Sequence, residues 1–322
     1  MTESGNDIQL VYTQLQELMN SIQKLYIGQE EVVQQVLVCL LAQGHVLLEG
    51  VPGLGKTLLI RIMSRLIRAE YSRIQFTPDL MPADVTGHML YDHQSGNFKV
   101  KKGPVFTNLL LADEINRSPA KTQAALLEVM EEKQVTLEGE PMKVGQPFMV
   151  MATQNPIEQE GTYILPEAQL DRFLLKIIIN YPDEQHELQM LSEIADKDIF
   201  SKSESLDQLL DLDAIRVLQE HCANVLVDAS VQKYILDIIR ATRNSAAINY
   251  GAGPRGGIAL LKCSRALALV NHRDYVLPDD VKKIAFPVLR HRIIISPEHE
   301  LAGKTADNIL SEIINQVDAP RQ

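Results

Sequence analysis

Short apolar runs alternate with segments of helical spacing through the first half of the chain. Five runs are typical of buried strands, each ending in polar or turn residues: HVLLEG, SRIQFT, TNLLLADE, PFMVMATQ and FLLKIIIN. GKTLLIRIMSRLIR separates the first two runs, and SPAKTQAALLEVMEEKQ separates the third from the fourth. Because strands alternate with helices, the pattern predicts a parallel sheet with helices on both faces.

Two stretches interrupt this alternation and favour β-hairpins. YDHQSGNFKVKKGPV is expected to turn at residues 95–97, and VTLEGEPMKV at residues 138–140. The first hairpin carries Lys99, Lys101 and Lys102. Such lysines either blunt an exposed strand edge or contact a partner, and the sequence leaves both interpretations open.

The second half of the chain reads as helices. From residue 183 onward, segments such as ASVQKYILDIIRATRNS and PRGGIALLKCSRALALVNH show helical spacing, and the polar stretch DKDIFSKSESLD is typical of a linker. We therefore predict an α/β nucleotide-binding core over residues 1–198 and a smaller helical domain over residues 199–322.

Composition narrows the class of protein. The 322 residues are 45% hydrophobic and 23% charged, which is usual for a soluble globular chain. The net charge of −11 makes nucleic acid an unlikely main partner. The three cysteines lie far apart in apolar segments, the start of the chain does not resemble a signal peptide, and the apolar runs are too short to span a bilayer. The expected location is cytoplasmic, without membrane insertion.

A phosphate-binding motif lies between the first predicted strand and helix. Residues 50–57, GVPGLGKT, match GxxxxGK[ST] in the strand–loop–helix context that this motif requires. Gly53 and Gly55 allow backbone N–H groups to curl toward the phosphates. Lys56 would reach the β- and γ-phosphates and Thr57 would bind magnesium, while the N-terminus of the following helix also favours an anion.

Two carboxylates end the third predicted strand. LLLADE places Asp113 near the expected magnesium site, with Glu114 beside it. Glu114 could polarise a water molecule in line with the γ-phosphate. This extra carboxylate favours hydrolysis by water over phosphoryl transfer to a bound metabolite.

Three further polar residues are candidates for the same chemistry. Asn155 follows the fourth predicted strand and could orient the attacking water, although Asn-Pro is also typical of a turn. Arg172 either pairs with Asp171 or Glu167, or acts as an arginine finger on a neighbour's nucleotide. Arg255, which opens a helix in GAGPRGG, could approach the nucleotide from the lid.

These segments resemble the MoxR family of AAA+ ATPases, a branch with a helix-2 insert. The resemblance rests on LLADEINRSPAKTQAALLEVMEEKQVTLEG and FMVMATQNPIEQEGTYILPEAQLDRF, with IGQE, the phosphate loop and GPRGG in the expected places. It covers about residues 20–310. It implies an AAA+ core with an all-helical C-terminal lid, ATP and Mg²⁺ as cofactors, and a helix-2 insert around YDHQSGNFKVKK. VTLEGEPMKV would be the hairpin before sensor 1.

The resemblance also implies a role for each matching residue. Asp113 and Glu114 would form Walker B, Thr57 and Asp113 would hold the metal, and Asn155 would be sensor 1. Arg172 would be the arginine finger and Arg255 sensor 2, acting either on its own nucleotide or on the neighbour's. The remaining nucleotide-binding residues would be Ile27, Gly28 and Gln29 near the adenine, and Val51, Pro52, Gly53, Leu54, Gly55, Lys56, Thr57 and Leu58 in Walker A.

The implied function is chaperone-like remodelling. An arginine finger acts across a subunit contact, so we expect a nucleotide-promoted ring, a hexamer, whose ATP turnover rises with protein concentration. The family implies maturation or metal loading of client proteins with a separate von Willebrand factor A domain protein. Three alternatives stay open: a nucleic-acid-stimulated motor, a magnesium-chelatase-like motor subunit and an ATP-gated scaffold.

Overall fold

The fold was analysed in a computed structural model that describes residues 3–93, 96–155, 163–196 and 206–320. Its strands are β1 (Val46–Glu49), β2 (Tyr71–Gln75), β3 (Gly87–Asp92), β4 (Asn97–Lys102), β5 (Leu109–Asp113), β6 (Gln134–Leu137), β7 (Glu140–Lys143), β8 (Met149–Gln154), β9 (Leu175–Ile178), β10 (Ile248–Tyr250) and β11 (Ile294–Ile295).

Helices account for most of the remaining described chain. They are α1 (Glu3–Gln23), α2 (Glu30–Leu41), α3 (Lys56–Leu66), α4 (Pro82–Thr86), α5 (Ala120–Glu132), α6 (Glu167–Leu170), α7 (Glu184–Asp196), α8 (Leu212–Asn224), α9 (Ala229–Asn244), α10 (Pro254–Val270), α11 (Pro278–Leu289), α12 (Pro297–Leu301) and α13 (Ala306–Gln316), with a 3₁₀ turn at Ile115–Arg117.

The five predicted strands form one parallel sheet in the order β2-β5-β8-β1-β9. Alternate residues of a strand belong to different apolar clusters. On β5, Leu109 and Leu111 pack into the larger cluster and Leu110 into the smaller one. Helices therefore cover both faces of the sheet, as the near-continuous apolar runs predicted.

The sheet register gathers polar side chains at one edge. Gln75 on β2 pairs with Asp113 on β5, and Glu49 on β1 pairs with Gln154 on β8. In a parallel sheet all carboxyl ends meet at the same edge, which is where ligands bind in open α/β folds. The segments that follow β1, β5 and β8 carry the predicted chemical groups.

The C-terminal part is a helical lid, as predicted, with one small addition. Ile248–Tyr250 and Ile294–Ile295 form a short antiparallel pair between helices. Strands of three and two residues are too short to show an alternating pattern, so the prediction of helices alone missed them. The predicted domain boundary at residues 198 and 199 lies outside the described residues.

The larger apolar cluster continues from the sheet into the lid. It includes Val36 and Cys39 of α2 together with Leu260 and Cys263 of α10. A buried hydrogen bond crosses the same contact, because Gln219 on α8 donates through Nε2 to the Leu40 carbonyl at 2.7 Å. Core and lid thus share one continuous interior.

Both predicted hairpins are present. Strands β6 and β7 turn through Glu138 and Gly139, whose positive φ angles of 49° and 87° fit a two-residue primed turn. Strands β3 and β4 pair from Gly87↔Lys102 to Asp92↔Asn97. Ser95, in the predicted turn, lies outside the described residues.

Across the described ranges, no helix has the length and apolar character needed to cross a bilayer.

His45 lies buried at the start of β1 and links two distant segments. Its Nδ1 accepts a hydrogen bond from the Val150 N–H at 3.0 Å, and its Nε2 lies 3.1 Å from the Met130 carbonyl oxygen, where it donates. This arrangement requires the neutral imidazole with its proton on Nε2. Burial lowers the pKa of His45 to about 4.

We expect the protein to lose stability as the pH falls from about 6.5 toward 4. The unfolded imidazole takes up a proton near pH 6.5, whereas the buried one stays neutral to about pH 4. The unfolded state therefore binds more protons in this window, and His45 contributes about 2 kcal/mol less to the free energy of unfolding at pH 5 than at pH 7.

Urea unfolding at pH 7 and pH 5 measures this loss in the wild type and in His45→Gln. His93→Gln is the control, because His93 is exposed. The loss should shrink in His45→Gln and persist in His93→Gln. Equal losses in all three proteins would show that His45 contributes nothing to the pH dependence.

Candidate functional site

The loop between β1 and α3 has the shape of a phosphate cradle. Gly53 and Gly55 adopt positive φ angles of 87° and 71°, a conformation that L side chains rarely adopt. A Cβ atom added to Gly50 would lie 2.7 Å from the Ile179 carbonyl oxygen, so the close approach at this position also requires glycine. Helix α3 begins directly at Lys56, and its first-turn N–H groups have no partner within the helix. The loop and helix end together favour an anion.

Lys56 lies against the cradle. Its Nζ donates a hydrogen bond to the Gly50 carbonyl at 2.5 Å. Partial burial lowers the pKa of Lys56, while the carboxylates of Asp113 and Glu114 act in the opposite direction. The ammonium group therefore lies between the loop and the two carboxylates, where it can bind a phosphate oxygen.

Asp113 and Glu114 are positioned by Thr153 on the neighbouring strand β8. The Thr153 hydroxyl donates to Asp113 Oδ1 at 2.7 Å and accepts a hydrogen bond from the Glu114 N–H at 2.8 Å. The other Asp113 oxygen, Oδ2, lies 2.6 Å from Arg73 Nη2. Thr153 was missed by the sequence analysis, although its place in the strand before Asn155 was the available signal.

The Glu114 side chain is held by two further residues that the sequence analysis missed. Gln75 Nε2 donates to Glu114 Oε2 at 2.7 Å, and Arg117 Nη1 donates to the same oxygen at 3.0 Å. Glu114 itself has a left-handed backbone with φ of 56°, which is uncommon for a residue other than glycine. Strain of this kind, in a residue beside a phosphate loop, supports a functional role.

A cavity of about 310 Å³ joins these groups. Asn155, only 7% exposed, lies on its wall together with Thr153. The Thr57 hydroxyl and the Asp113 carboxylate supply the oxygen ligands that Mg²⁺ prefers, so the residues fit this ion. The full lining is Pro52, Gly53, Leu54, Gly55, Lys56, Thr57, Leu58, Asp113, Glu114, Thr153 and Asn155.

The predicted adenine-binding segment follows Tyr26, which contacts the phosphate loop. The Tyr26 hydroxyl donates to the Leu54 carbonyl at 3.0 Å, which ties the segment to the phosphate loop. Gly28 and Gln29 line a separate cavity of about 420 Å³, and Gln29 Nε2 donates to the Asn180 carbonyl at 2.8 Å. Ile27 is buried and Val51 partly buried.

Arg172 and Arg255 come together at a different place, around Glu131 at the end of α5. Arg172 Nη1 lies 2.5 Å from Glu131 Oε2, and Arg255 Nη2 lies 3.1 Å from Glu131 Oε1. Arg255 also approaches Asp171 at 3.7 Å. Both pairings proposed for Arg172 from the sequence, with Asp171 and with Glu167, therefore give way to a pairing with Glu131.

This second cavity, of about 250 Å³, is cationic in an acidic protein. Five cationic side chains and two carboxylates line it, a surplus of three positive charges: Lys133, Arg172, Arg255, Lys262 and Arg292 against Glu131 and Asp171. It shares no lining residue with the phosphate-loop cavity. In the part of the chain that the structure describes, the phosphate-loop cavity has no arginine in its lining.

Comparison with known proteins agrees with the fold and the motifs. Residues 45–175 match the family model for the ATPase family associated with various cellular activities (AAA), and residues 240–313 match the AAA lid domain. A candidate ATPase of known crystal structure from Cytophaga hutchinsonii superposes with a TM-score of 0.91 at 39% identity. That alignment covers 99% of this chain and 98% of the other.

Three relatives align with 85% to 96% of this chain. Chaperone MoxR1 of Mycobacterium tuberculosis is 41% identical over 95% of this chain and 82% of its own length. The uncharacterised protein YeaC of Bacillus subtilis is 45% identical over 96% of this chain and 95% of its own. Protein MoxR of Paracoccus denitrificans is 30% identical over 85% of this chain and 86% of its own. With its phosphate loop, parallel sheet and helical lid, the chain belongs to the MoxR family of AAA+ ATPases.

Proposed function

We propose that the protein hydrolyses ATP at the contacts between subunits of a ring. The observation that carries this proposal is the separation of the two sets of predicted residues. The phosphate loop and the two carboxylates line one cavity, while Arg172 and Arg255 line another. Arginines that belong to the same reaction but lie outside the site of their own chain can act on a neighbour's site.

Each residue of the phosphate-loop cavity has a separate task in this proposal. Lys56 and the loop N–H groups would bind the phosphates. Thr57 and Asp113 would hold Mg²⁺, which would supply positive charge to neutralise the phosphate oxygens. Glu114 accepts a proton from the attacking water, and Asn155 orients that water. Gln75 and Arg117 keep the Glu114 carboxylate in place.

The cationic cavity supports a role for both arginines in trans. A surplus of three positive charges is suited to a polyphosphate. Arg172 and Arg255 converge on one carboxylate, so both would approach the same neighbouring nucleotide. A head-to-tail contact of this kind closes into a ring or continues as a helix, and we propose a ring, as a hexamer.

The proposed work of this ring is the remodelling of client proteins in the cytoplasm. The relative named Chaperone MoxR1 supports a chaperone role. The hairpin of β3 and β4 offers a contact surface for a protein client, since Tyr91, Phe98 and Val100 are exposed beside Lys99 and Lys101. A separate von Willebrand factor A domain protein would act as adaptor, and maturation or metal loading of the client would be the outcome.

The first test is the rate of ATP hydrolysis per subunit measured against protein concentration, with mass photometry on the same samples. We expect the specific activity to rise as rings form and then reach a plateau, because isolated subunits lack the neighbour's arginines. A specific activity that is constant from monomeric to assembled samples would contradict hydrolysis at subunit contacts.

A further inference from the structure

We propose that Glu131 is a positioning residue for the reaction, holding Arg172 of the core and Arg255 of the lid as a pair that reaches the neighbour's nucleotide. The inference rests on the proposed function of the two arginines. It assigns a task to a carboxylate that lies outside the lining of the phosphate-loop cavity and was given no role from the sequence.

Each oxygen of the Glu131 carboxylate binds a different arginine. Oε2 binds Arg172 at 2.5 Å, and Oε1 binds Arg255 at 3.1 Å. Arg172 Nη1 also donates to the Leu127 carbonyl at 3.0 Å, one turn before Glu131 on the same helix. Helix α5 therefore fixes Arg172 from two points and fixes Arg255 through Glu131.

Arg255 depends on Glu131 for its close contact. Its other carboxylate neighbour is Asp171, at 3.7 Å. Asp171 is already engaged, because its Oδ1 lies 2.8 Å from Nε of Arg292, a side chain only 3% exposed. Without Glu131, Arg255 would keep only the longer contact to a carboxylate that is shared with a buried arginine.

The role of Glu131 is orientation more than stability. The Glu131, Arg172 and Arg255 side chains are 40%, 33% and 60% exposed. Ion pairs with this much solvent contribute little to the free energy of unfolding. Two guanidinium groups of like charge nevertheless repel each other, and a carboxylate between them allows both to point at one target.

Removal of Glu131 is expected to affect ATP binding and ATP turnover differently. Removing Glu131 raises the positive surplus of the cavity from three charges to four, so attraction for a neighbour's polyphosphate is not weakened. The arginines lose their alignment, however, and misplacement of catalytic groups by about 1 Å can lower a rate by about 10²-fold. We therefore expect Glu131→Ala to lower kcat by about 10–100-fold with an unchanged or lower KM for ATP.

Glu131→Gln and Glu312→Gln complete the series. The glutamine keeps the length of Glu131 and one acceptor oxygen, so its kcat should lie between those of Glu131→Ala and the wild type. Glu312→Gln breaks an exposed ion pair with Lys304 elsewhere on the lid and should leave kcat unchanged. All three variants should retain the wild-type melting temperature within about 2 °C, as expected for exposed ion pairs.

Mixed rings show on which side of the contact Glu131 acts. Glu131→Ala mixed with Glu114→Gln should regain activity, because some contacts then combine an intact Glu114 with a neighbour's aligned arginines. Glu131→Ala mixed with Arg172→Ala should gain none, because both defects lie on the arginine-donating side. Recovery in the second mixture, or an unchanged kcat in Glu131→Ala, would overturn this role.

The reference mixture of Glu114→Gln with Arg172→Ala distinguishes the two proposals. If that mixture recovers activity while the Glu131→Ala mixtures do not follow the expected pattern, the role of Glu131 is wrong and the subunit contact stands. If the reference mixture itself stays inactive, hydrolysis at subunit contacts is wrong.

Discussion

An equimolar mixture of Glu114→Gln and Arg172→Ala is expected to hydrolyse ATP far faster than either variant does alone. A productive contact needs Glu114 from one subunit and Arg172 from its neighbour. In a randomly mixed ring, about a quarter of the contacts join an Arg172→Ala subunit, whose Glu114 is intact, to a Glu114→Gln neighbour, whose Arg172 is intact. The mixture should reach about a quarter of the wild-type rate if contacts act independently.

The measurement is steady-state phosphate release at protein concentrations where the ring is fully formed. Arg172→Ala alone should be slower than the wild type by about 10³–10⁵-fold, the range for a lost arginine finger. Arg216→Ala is a suitable control, because Arg216 also pairs with an acidic residue, Asp213, at 2.6 Å but lies away from the cationic cavity. An inactive mixture whose subunits are shown to exchange would place Arg172 outside the neighbour's site.

The same mixing experiment tests whether Arg255 acts on the nucleotide of its own chain or on the neighbour's. If Arg255 reaches the neighbour's nucleotide, Arg255→Ala mixed with Glu114→Gln should also recover activity. If it acts on the nucleotide of its own chain, every subunit in that mixture carries a defective site, and no recovery follows. The structure favours recovery, because Arg255 binds the same carboxylate as Arg172.

The Glu114→Gln variant by itself is expected to bind ATP but to hydrolyse it about 10²–10⁴-fold more slowly, the usual contribution of a general base. Glutamine keeps the shape of the side chain but cannot accept a proton from water at neutral pH. Its amide oxygen can still accept the hydrogen bonds that Gln75 and Arg117 donate to the carboxylate. Nucleotide binding should therefore survive.

Two measurements separate the effect of Glu114→Gln on ATP binding from its effect on hydrolysis. Fluorescence titration with a labelled ATP analogue gives affinity, and single-turnover phosphate release gives the rate of the chemical step. Glu138→Gln removes a carboxylate from the exposed turn between β6 and β7 and serves as the control. A Glu114→Gln variant with near-normal single-turnover kinetics would exclude Glu114 as the base.

The sequence predicted the sheet and the lid because their signals are local. The five apolar runs, the two hairpin sequences and the helical spacing of the second half are each contained in one segment. The structure has the five strands, both strand pairs and the helices within its described residues. The short pair of β10 and β11 was missed because Ile294–Ile295 holds only two residues. Local patterns of that length do not distinguish a strand from a helix end.

The candidate site was predictable only where one segment carries its own signal. Lys56, Thr57, Asp113 and Glu114 stand in recognisable motifs. Thr153 became relevant through the pairing of β8 with β5, which the sequence does not state. Glu131 depends on contacts with residues 41 and 124 positions further along the chain, and such distant pairings follow from packing alone.

The interior shared by the sheet and the lid has a mechanical consequence. Helices α2 and α10 bury apolar side chains against each other, so a swing of the lid away from its own core would expose part of the larger cluster to water. Each subunit is therefore expected to move as one rigid body, with the hinges located between subunits. Calorimetry should then show core and lid melting in a single transition, and any stroke transmitted to a client would come from the rotation of whole subunits against one another.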